Sequence, residues 1–561
     1  MQMKFARPLL FALVVLLALL YWLASVPLRS ARSQWRNGNP EKALATLRPW
    51  GGFHVRPADY DRMLAALYLT VRQPGAARPY LDRMSRRQAE WFPSVPKEEV
   101  ARALLAEGQY QSFLDFDSAA RDHRESGELP LYRAAAAVGL NRLEDARNAF
   151  NRVDRSGVEA AKYAALKEAI EQRSRGSFPW VLDRNGGTIA VYQIANRDVV
   201  AENSDFAALV DKEAGTLTLE SHAADIGTDK TVITTLDPVV QKAALSALSG
   251  FRGSLVAIDP RTNEILAVAS SRGRGPLANL AFESQYEPGS IIKVLTGMNA
   301  VNSGVRLSDL FPMKCDGFVL VDGRQFRDWA SHGQLRDVNE ALAVSCNVAF
   351  ARLGLLLGVD RLRAFMTAAG FDGAMDLGAY KVPLGKSVGN VFNHFETASY
   401  AVGLDHESVN SLHVAMLASM MANRGVLTAP RLITGRKSIL GEPVGSLPPQ
   451  AKVTLASPAA AATMISAMES VVTDGRGTGR RAAVDGLTMA MKTGTAGKQE
   501  NGYQAVIMAF APSDSPRIAI GMIAEDAGPA EFAGAKIAHD FFTAIKDRLL
   551  PAESGAAPAN K

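Results

Sequence analysis

The sequence is poor in cysteine. Two thiols, Cys315 and Cys346, in 561 residues exclude a disulfide framework and a four-cysteine zinc site. An excess of one charge sign is also missing. The 62 Lys and Arg against 57 Asp and Glu leave a net charge of +5, too diffuse to mark a nucleic-acid-binding surface. With 47% apolar and 21% charged residues the chain lacks the composition of a disordered protein. The histidines are few, and His406 and His413 with Glu407 do not have metalloprotease spacing. They read as ordinary surface or core residues.

A charge-free apolar run stands at the N-terminus, Pro8 to Leu28, 21 residues. At about 1.5 Å per residue it spans about 31 Å as a helix, close to a bilayer's hydrocarbon thickness. It is longer than a usual signal-peptide core and no small-x-small cleavage site follows it, so residues 1–33 are expected to form an uncleaved anchor. Lys4 and Arg7 precede the run and Arg29, Arg32 and Arg36 follow it, so flanking charge does not set the orientation.

Residues 34–175 are rich in Ala, Leu, Arg and Glu and read as helical. Turn-like points at Gly38, Pro74, Gly108 and Asn141 are 36, 34 and 33 residues apart. Ala43 with Leu47, and Ala146 with Phe150, recur at matching offsets. The pattern resembles degenerate tetratricopeptide repeats, which stack helix pairs with a 34-residue period and offer a concave face to a protein partner. Residues 176–235 hold short β-like runs (TIAVYQ, GTLTLE, TVITTL) between turn signals. Asp237 and Pro238 then open a helix. Gly253–Asp259 and Glu264–Ser270 flank a turn at 260–263 and are expected to pair as a hairpin. Helical patterns dominate 290–425, residues 434–452 read as a loop, and strands return in LTMAMKTGT, YQAVIMAFAP and RIAIGMIAE. A helix from Lys536 to Leu550 and a disordered tail at 551–561 complete the expectation. Strands at both ends of 236–550 with helices between imply one α/β domain with a shared antiparallel sheet.

Three short motifs carry chemistry. In Glu287-Pro288-Gly289-Ser290-Ile291-Ile292-Lys293, Pro-Gly marks a helix start. Ser290 falls in its first turn, where free N–H groups suit an oxyanion. Lys293 is three residues on and therefore on the same face; a buried lysine loses its proton readily and can activate a serine. In Ser345-Cys346-Asn347 two polar groups flank a residue where a small apolar side chain suffices. In Lys492-Thr493-Gly494-Thr495 a strand without a side chain at Gly494 lets a ligand backbone lie alongside, with an amine and two hydroxyls suited to a carboxylate. The G-x-S-x-G elbow is absent around Ser290, so a Ser-His-Asp triad is not indicated.

In this order, at separations of 55 and 147 residues, the set resembles the S-x-x-K, S-x-N and K-T-G-T motifs of the transpeptidase domain of penicillin-binding proteins. The flanks YEPGSIIK, AVSCNVAFARLG and GLTMAMKTGTAGK agree, and the likeness covers about 230 to 545. It is closest to monofunctional class B enzymes, since residues 30–175 show no glycosyltransferase-like acidic motif. Asp183-Arg184-Asn185-Gly186 is similar to the start of the class B pedestal, although the pedestal here is short.

The resemblance implies an α/β (α+β) penicillin-binding/β-lactamase-like fold, preceded by an all-α repeat domain and one membrane helix. It implies that Ser290 attacks D-Ala-D-Ala in peptidoglycan stem peptides, with Lys293 as base and Ser345 passing a proton to the leaving amine. Asn347 holds Lys293 and the substrate amide. Lys492, Thr493 and Thr495 take the terminal carboxylate, and the Ser290 and Thr495 N–H groups form the oxyanion hole. β-Lactams acylate Ser290 for the same reasons, with no metal or organic cofactor. The body then lies outside the inner membrane, and the helical repeats suit a wall polymerase or a division or elongation protein. D,D-carboxypeptidase, β-lactamase and non-catalytic scaffold are the competing readings. His332 reads as structural; pairing of Cys346 with Cys315 requires an oxidising compartment.

Overall fold

The structure is a computed structural model. It describes residues 25–550 except 36, 38, 52–57, 72, 87–96, 107, 120–126, 388–392, 405–406, 446 and 499–501. Most of the expected anchor, His406 and the tail 551–561 lie outside the described residues. Among the described residues no helix is long and apolar enough to cross a membrane. The chain divides into two compact units. The first comprises residues up to Phe178, Asp229–Thr231 and Arg436–Gly445; the second takes the remainder from Pro179 onward.

The first unit is built of helices, among them Pro40–Leu47, Ala58–Thr70, Pro74–Arg86, Lys97–Ala106, Tyr110–Ala119, Leu129–Gly139, Leu143–Phe150 and Ala160–Ser174. Four turns share one hydrogen-bond pattern. The N–H groups of Asn39, Gln73, Gln109 and Arg142 donate to the carbonyls of Gln34, Tyr68, Leu104 and Ala137, five residues back, at 3.0, 2.7, 2.8 and 2.8 Å. This is the bond that closes a helix through a left-handed residue. Gly108 (φ 70°) and Asn141 (φ 58°) occupy that position in two of the turns. Four residues into the next helix stand Ala43, Ala77, Phe113 and Ala146, each with 0% exposure. Small residues there bring paired helices close, and Phe113 is the departure.

The segment 434–452, expected to be a loop, is more ordered than that. Ile433–Lys437 is a strand. Ile439 and Leu440 are buried in the core of the first unit, and Glu442 accepts an ion pair from Lys162 at 2.9 Å. Two apolar residues in a polar stretch leave no periodic signal, so only packing reveals their role.

In the second unit the sheet order is Ala490–Lys498, Gly502–Ala511, Ile518–Glu525, Arg252–Asp259, Glu264–Arg272. Every neighbouring pair is antiparallel, and one row runs Lys492, Met508, Gly521, Val256, Val268. The expected hairpin and the union of N- and C-terminal strands are both present. Helix Ser411–Ala422 is buried along all its residues, as an element apolar all round must be. Asp237 caps helix Pro238–Ala247 and accepts from both terminal guanidinium nitrogens of Arg548, at 2.9 and 2.8 Å, tying the start of the domain to its last helix. A second sheet has the order Ile433–Lys437, Thr231–Thr234, Ser177–Leu182, Thr188–Gln193, Asp198–Ala201.

One strand expectation needs correction. GTLTLE (215–220) is not a strand: the Leu217 N–H and the Thr216 hydroxyl both donate to the Glu283 carboxylate, so its backbone is satisfied without a ladder. The stretch 290–425 is mainly helical, as expected, with one addition. It carries the short strands Met313–Cys315, Phe318–Val321, Arg324–Arg327 and Gly333–Leu335, each too short for a period of two to stand out.

Candidate active site

A 3-10 turn, Gly289–Ile291, leads into helix Ile292–Asn302. Ser290 is half-buried in that turn, and Lys293 follows on the same face with no exposed surface. Its Nζ lies 3.0 Å from Ser290 Oγ. The chain between helices Val338–Ala343 and Asn347–Leu357 bends at Ser345, a non-glycine residue with φ 57°. Such a backbone costs on the order of 1 kcal/mol. The bend turns the Ser345 carbonyl (2.6 Å), the Ser345 hydroxyl (3.2 Å) and the Asn347 amide oxygen (2.6 Å) onto the same Lys293 amine.

The third motif lies on the sheet's edge strand, Ala490–Lys498. Lys492 is wholly buried and donates to Ser345 Oγ at 2.9 Å and to the Thr493 carbonyl at 2.7 Å. Glycine is required where this strand meets the serine turn. A Cβ on Gly494 would lie 2.5 Å from the Pro288 carbonyl oxygen, and one on Gly289 would lie 2.9 Å from the Thr495 carbonyl oxygen. The two backbones therefore touch, and Ser290 is held beside the strand.

The electrostatics follow from burial. Desolvation lowers the Lys293 pKa from 10.5 to about 8, against the opposing pull of the Asp328 and Cys346 charges. Burial, then repulsion from Lys293, lowers Lys492 well below its ordinary value. Two ammonium ions cannot share so small a dry volume. A neutral Lys293 has two N–H donors and one lone pair. Its shortest contacts, at 2.6 Å, are to the Ser345 carbonyl and Asn347 Oδ1, so the lone pair is left for the Ser290 hydroxyl.

A family model described as Penicillin binding protein transpeptidase domain matches residues 253–547, just over half of the chain. The chain belongs to this family. Peptidoglycan D,D-transpeptidase PbpA of Mycolicibacterium smegmatis is 28% identical over 339 residues, 53% of this chain and 67% of PbpA. Peptidoglycan D,D-transpeptidase MrdA of Acinetobacter baumannii is 29% identical over 344 residues, 52% of this chain and 50% of MrdA. These matches span between half and two thirds of the relatives' length. The solved D,D-transpeptidase domain of a peptidoglycan glycosyltransferase from Eggerthella lenta has a TM-score of 0.59 at 25% identity, over 67% of this chain and 99% of its own.

Within this penicillin-binding fold Ser290, Lys293, Ser345, Asn347 and Lys492 converge as one contact network. The Thr493 hydroxyl pairs with Thr478 at 2.7 Å. Thr495 is exposed, and its Oγ1 accepts the Ala530 N–H at 2.9 Å, which leaves its own proton free to donate. Sequence reasoning missed Thr478, whose only signal is its place in the Gly-rich GRGTGR. It also missed Asp328. Burial opposes ionisation of Asp328, but the His332 hydrogen bond and the Lys293 charge bring its pKa down to about 2. Cys315 and Cys346 are both buried and unbridged, and the Cys346 sulfur accepts the Ala349 N–H at 3.3 Å. His413, read as an ordinary core residue, is that: burial lowers it to about 4. Cys315, Asp328, His332 and Cys346 are the residues that can hold a metal, the one such group among the described residues.

Proposed function

We propose that the chain is a monofunctional class B peptidoglycan D,D-transpeptidase whose Ser290 is also the residue β-lactams acylate. The observation that carries this reading is the unbroken path Ser290–Lys293–Ser345–Lys492, with steps of 3.0, 3.2 and 2.9 Å, around an amine brought to about 8. Lys293 takes the Ser290 proton as Oγ bonds to the penultimate D-Ala carbonyl carbon. The N–H groups of Ser290 and Thr495 bear the oxyanion. As the C–N bond breaks, the proton moves from Lys293 through the Ser345 hydroxyl to the leaving D-alanine. The amine of a neighbouring stem then attacks the ester, giving its proton back through the same path and freeing Ser290. Thr493 and Thr495 hydroxyls hold the terminal carboxylate, with Lys492 beneath them. Asn347 fixes Lys293 and the substrate amide.

Residues 1–33 anchor this enzyme in the bacterial inner membrane with the body on the periplasmic side, where peptidoglycan precursors lie. Residues 34–175 are read as tetratricopeptide-like repeats that dock a wall polymerase or a protein of the division or elongation machinery, and the four matching turns support this. Residues 176–235 serve as pedestal and 236–550 as the transpeptidase domain. The test is labelling of the full chain in detergent by a fluorescent penicillin, followed by reaction with a stem-peptide donor and an amine acceptor. Wild type labels and forms cross-linked dimer, and Ser290→Ala does neither. An unlabelled wild type refutes the enzymatic reading; a labelled Ser290→Ala refutes Ser290 as the nucleophile.

A further inference from the structure

Charge is unevenly spread along the chain. Residues 29–87, directly after the apolar run Pro8–Leu28, hold 12 Lys and Arg against four Asp and Glu, a net charge of +8. The other 502 residues hold 50 against 53, a net charge of −3. A basic block beside an apolar run is the composition of a segment that meets anionic headgroups.

The first unit keeps this charge close to the run. Residues 25–35 are helical. Leu28, the last residue of the run, and Ala31 are buried in the first unit's core, so no linker separates the run from the unit. The Thr46 hydroxyl of helix Pro40–Leu47 donates to Gln34 Oε1 at 2.9 Å, and Arg32 pairs with Asp59 of helix Ala58–Thr70 at 2.9 Å. Gln34 is six residues beyond Leu28, about 9 Å along a helix. That is close to the depth of a headgroup layer, about 5–7 Å, and to the Debye length of about 8 Å.

Two of the four acids are already used: Asp59 pairs with Arg32 and Arg62, and Asp61 with Arg83. Lys42, Arg48 and Arg78 are exposed and make no ion pair with a described residue. Arg48 opens the turn Arg48–Trp50, which abuts the helix carrying Arg78. A Cβ on Gly51 would lie 2.5 Å from Tyr80 Oη and 3.2 Å from the Arg48 carbonyl oxygen. Tyr80 stacks on Tyr68 at 5.7 Å and holds Arg83 Cζ 4.7 Å from its ring centre, and Trp50 is 38% exposed. Cations interleaved with Trp and Tyr are the side chains of a membrane–water interface.

We propose that the first helices of the helical unit bind anionic phospholipid through Lys42, Arg48 and Arg78, with Trp50 at headgroup depth. The partner is the leaflet on the side of the body, and the proposal rests on the anchor reading of residues 1–33. Each cation near a charged surface strengthens binding about fivefold, and salt weakens the effect. Bound in this way, the helical unit lies on the bilayer instead of swinging on its anchor. A nucleic acid would share the attraction to charge but has no use for the adjoining apolar run.

The test uses the full chain in mild detergent, equilibrated with equal phosphatidylglycerol and phosphatidylcholine, and counts lipid bound per chain by mass spectrometry. Wild type should prefer phosphatidylglycerol about tenfold or more at low salt and lose most of that preference in about 0.5 M salt. The triple variant Lys42→Glu, Arg48→Glu, Arg78→Glu should bind the two lipids within about twofold of each other at an unchanged melting temperature. The corresponding glutamine triple should fall between it and wild type, a grading that misfolding would not produce. Lys381→Glu, Lys386→Glu and Lys452→Glu together make the same change of charge at exposed sites of the second unit and should keep the wild-type preference. Wild type without a preference overturns the proposal, as does a preference that the first glutamate triple keeps or the second loses. An RNA oligonucleotide that displaces the phosphatidylglycerol overturns the assignment to lipid. Alkaline carbonate extraction of membranes checks the anchor separately, and wild type and all variants should stay in the membrane. Protein that is extracted yet keeps its lipid preference removes the anchor reading and leaves the surface standing. Protein that stays in the membrane without a preference does the reverse.

Discussion

Replacing Gly494 with alanine tests the contact on which the site depends. The new methyl carbon would fall 2.5 Å from the Pro288 carbonyl oxygen, 3.3 Å from Ile291 Cγ2 and 3.3 Å from Val506 Cβ. The first neighbour is backbone of the turn that carries Ser290, and the last is a β-branched residue directly opposite in the ladder. Neither can rotate away, so strand and turn must separate by about 0.5–1 Å, at a cost of roughly 1–3 kcal/mol. The same movement carries Lys492 away from Ser345, now 2.9 Å distant, beyond hydrogen-bond reach. Misplacement of about 1 Å at a reacting centre costs on the order of 100-fold in rate. The second-order rate of acylation by a reporter β-lactam should therefore fall about 100-fold, with a lowered melting temperature. Gly435→Ala is the control, because a Cβ there meets nothing within 4 Å and should leave the rate unchanged. If Gly494→Ala acylates within twofold of wild type and melts at the same temperature, the argument for strand–turn contact is wrong.

With Lys293 at about 8, about a tenth of the enzyme is in the reactive form at pH 7 and half at pH 8; acylation should rise roughly fivefold between them and level above pH 9, and a flat profile refutes Lys293 as the base. Because the folded pKa lies below the ordinary 10.5, the unfolded chain binds more protons between these values, and this lysine's contribution to stability rises with pH from about 8 to 10.5. Ser345→Ala removes the oxygen joining Lys293 and Lys492 but leaves each amine another acceptor, the Ser345 carbonyl and the Thr493 carbonyl; it should slow acylation about 100- to 10,000-fold with little change in melting, and a normal rate rules out the relay. Asp237→Ala removes a helix cap and the Arg548 pair, and with Arg548 half exposed the loss should be about 2 kcal/mol with acylation at low temperature intact. Burial works against ionised Asp237, but Arg548 and two backbone N–H groups outweigh it and lower its pKa. That contribution is therefore present above the ordinary carboxylate range and fades as acid titrates the folded form; equal acid midpoints for variant and wild type would refute it.

The sequence by itself determined the elements whose signals are local. The short apolar runs in GSLVAID and EILAVAS with a turn between them specified a hairpin, and the structure pairs Arg252–Asp259 with Glu264–Arg272. Spacing of three residues put Lys293 on the face of Ser290. Glycine, proline or asparagine marked the helix turns, and Gly108 and Asn141 stand at the closing bonds of two of them. Only the tertiary structure could decide what distant residues do to one another. Lys293 is a base because burial strips its charge, and burial is a property of packing. Thr478 matters because it reaches Thr493, and Ile439 because it enters a core. Cys346 looked like a small filler in its own strip of chain. Its relation to Cys315, Asp328 and His332 exists only because three short strands, too brief to carry a period, bring those residues behind the turn. Local pattern reports backbone preference; pKa and catalytic geometry depend on atoms far apart in sequence, and only folding places them.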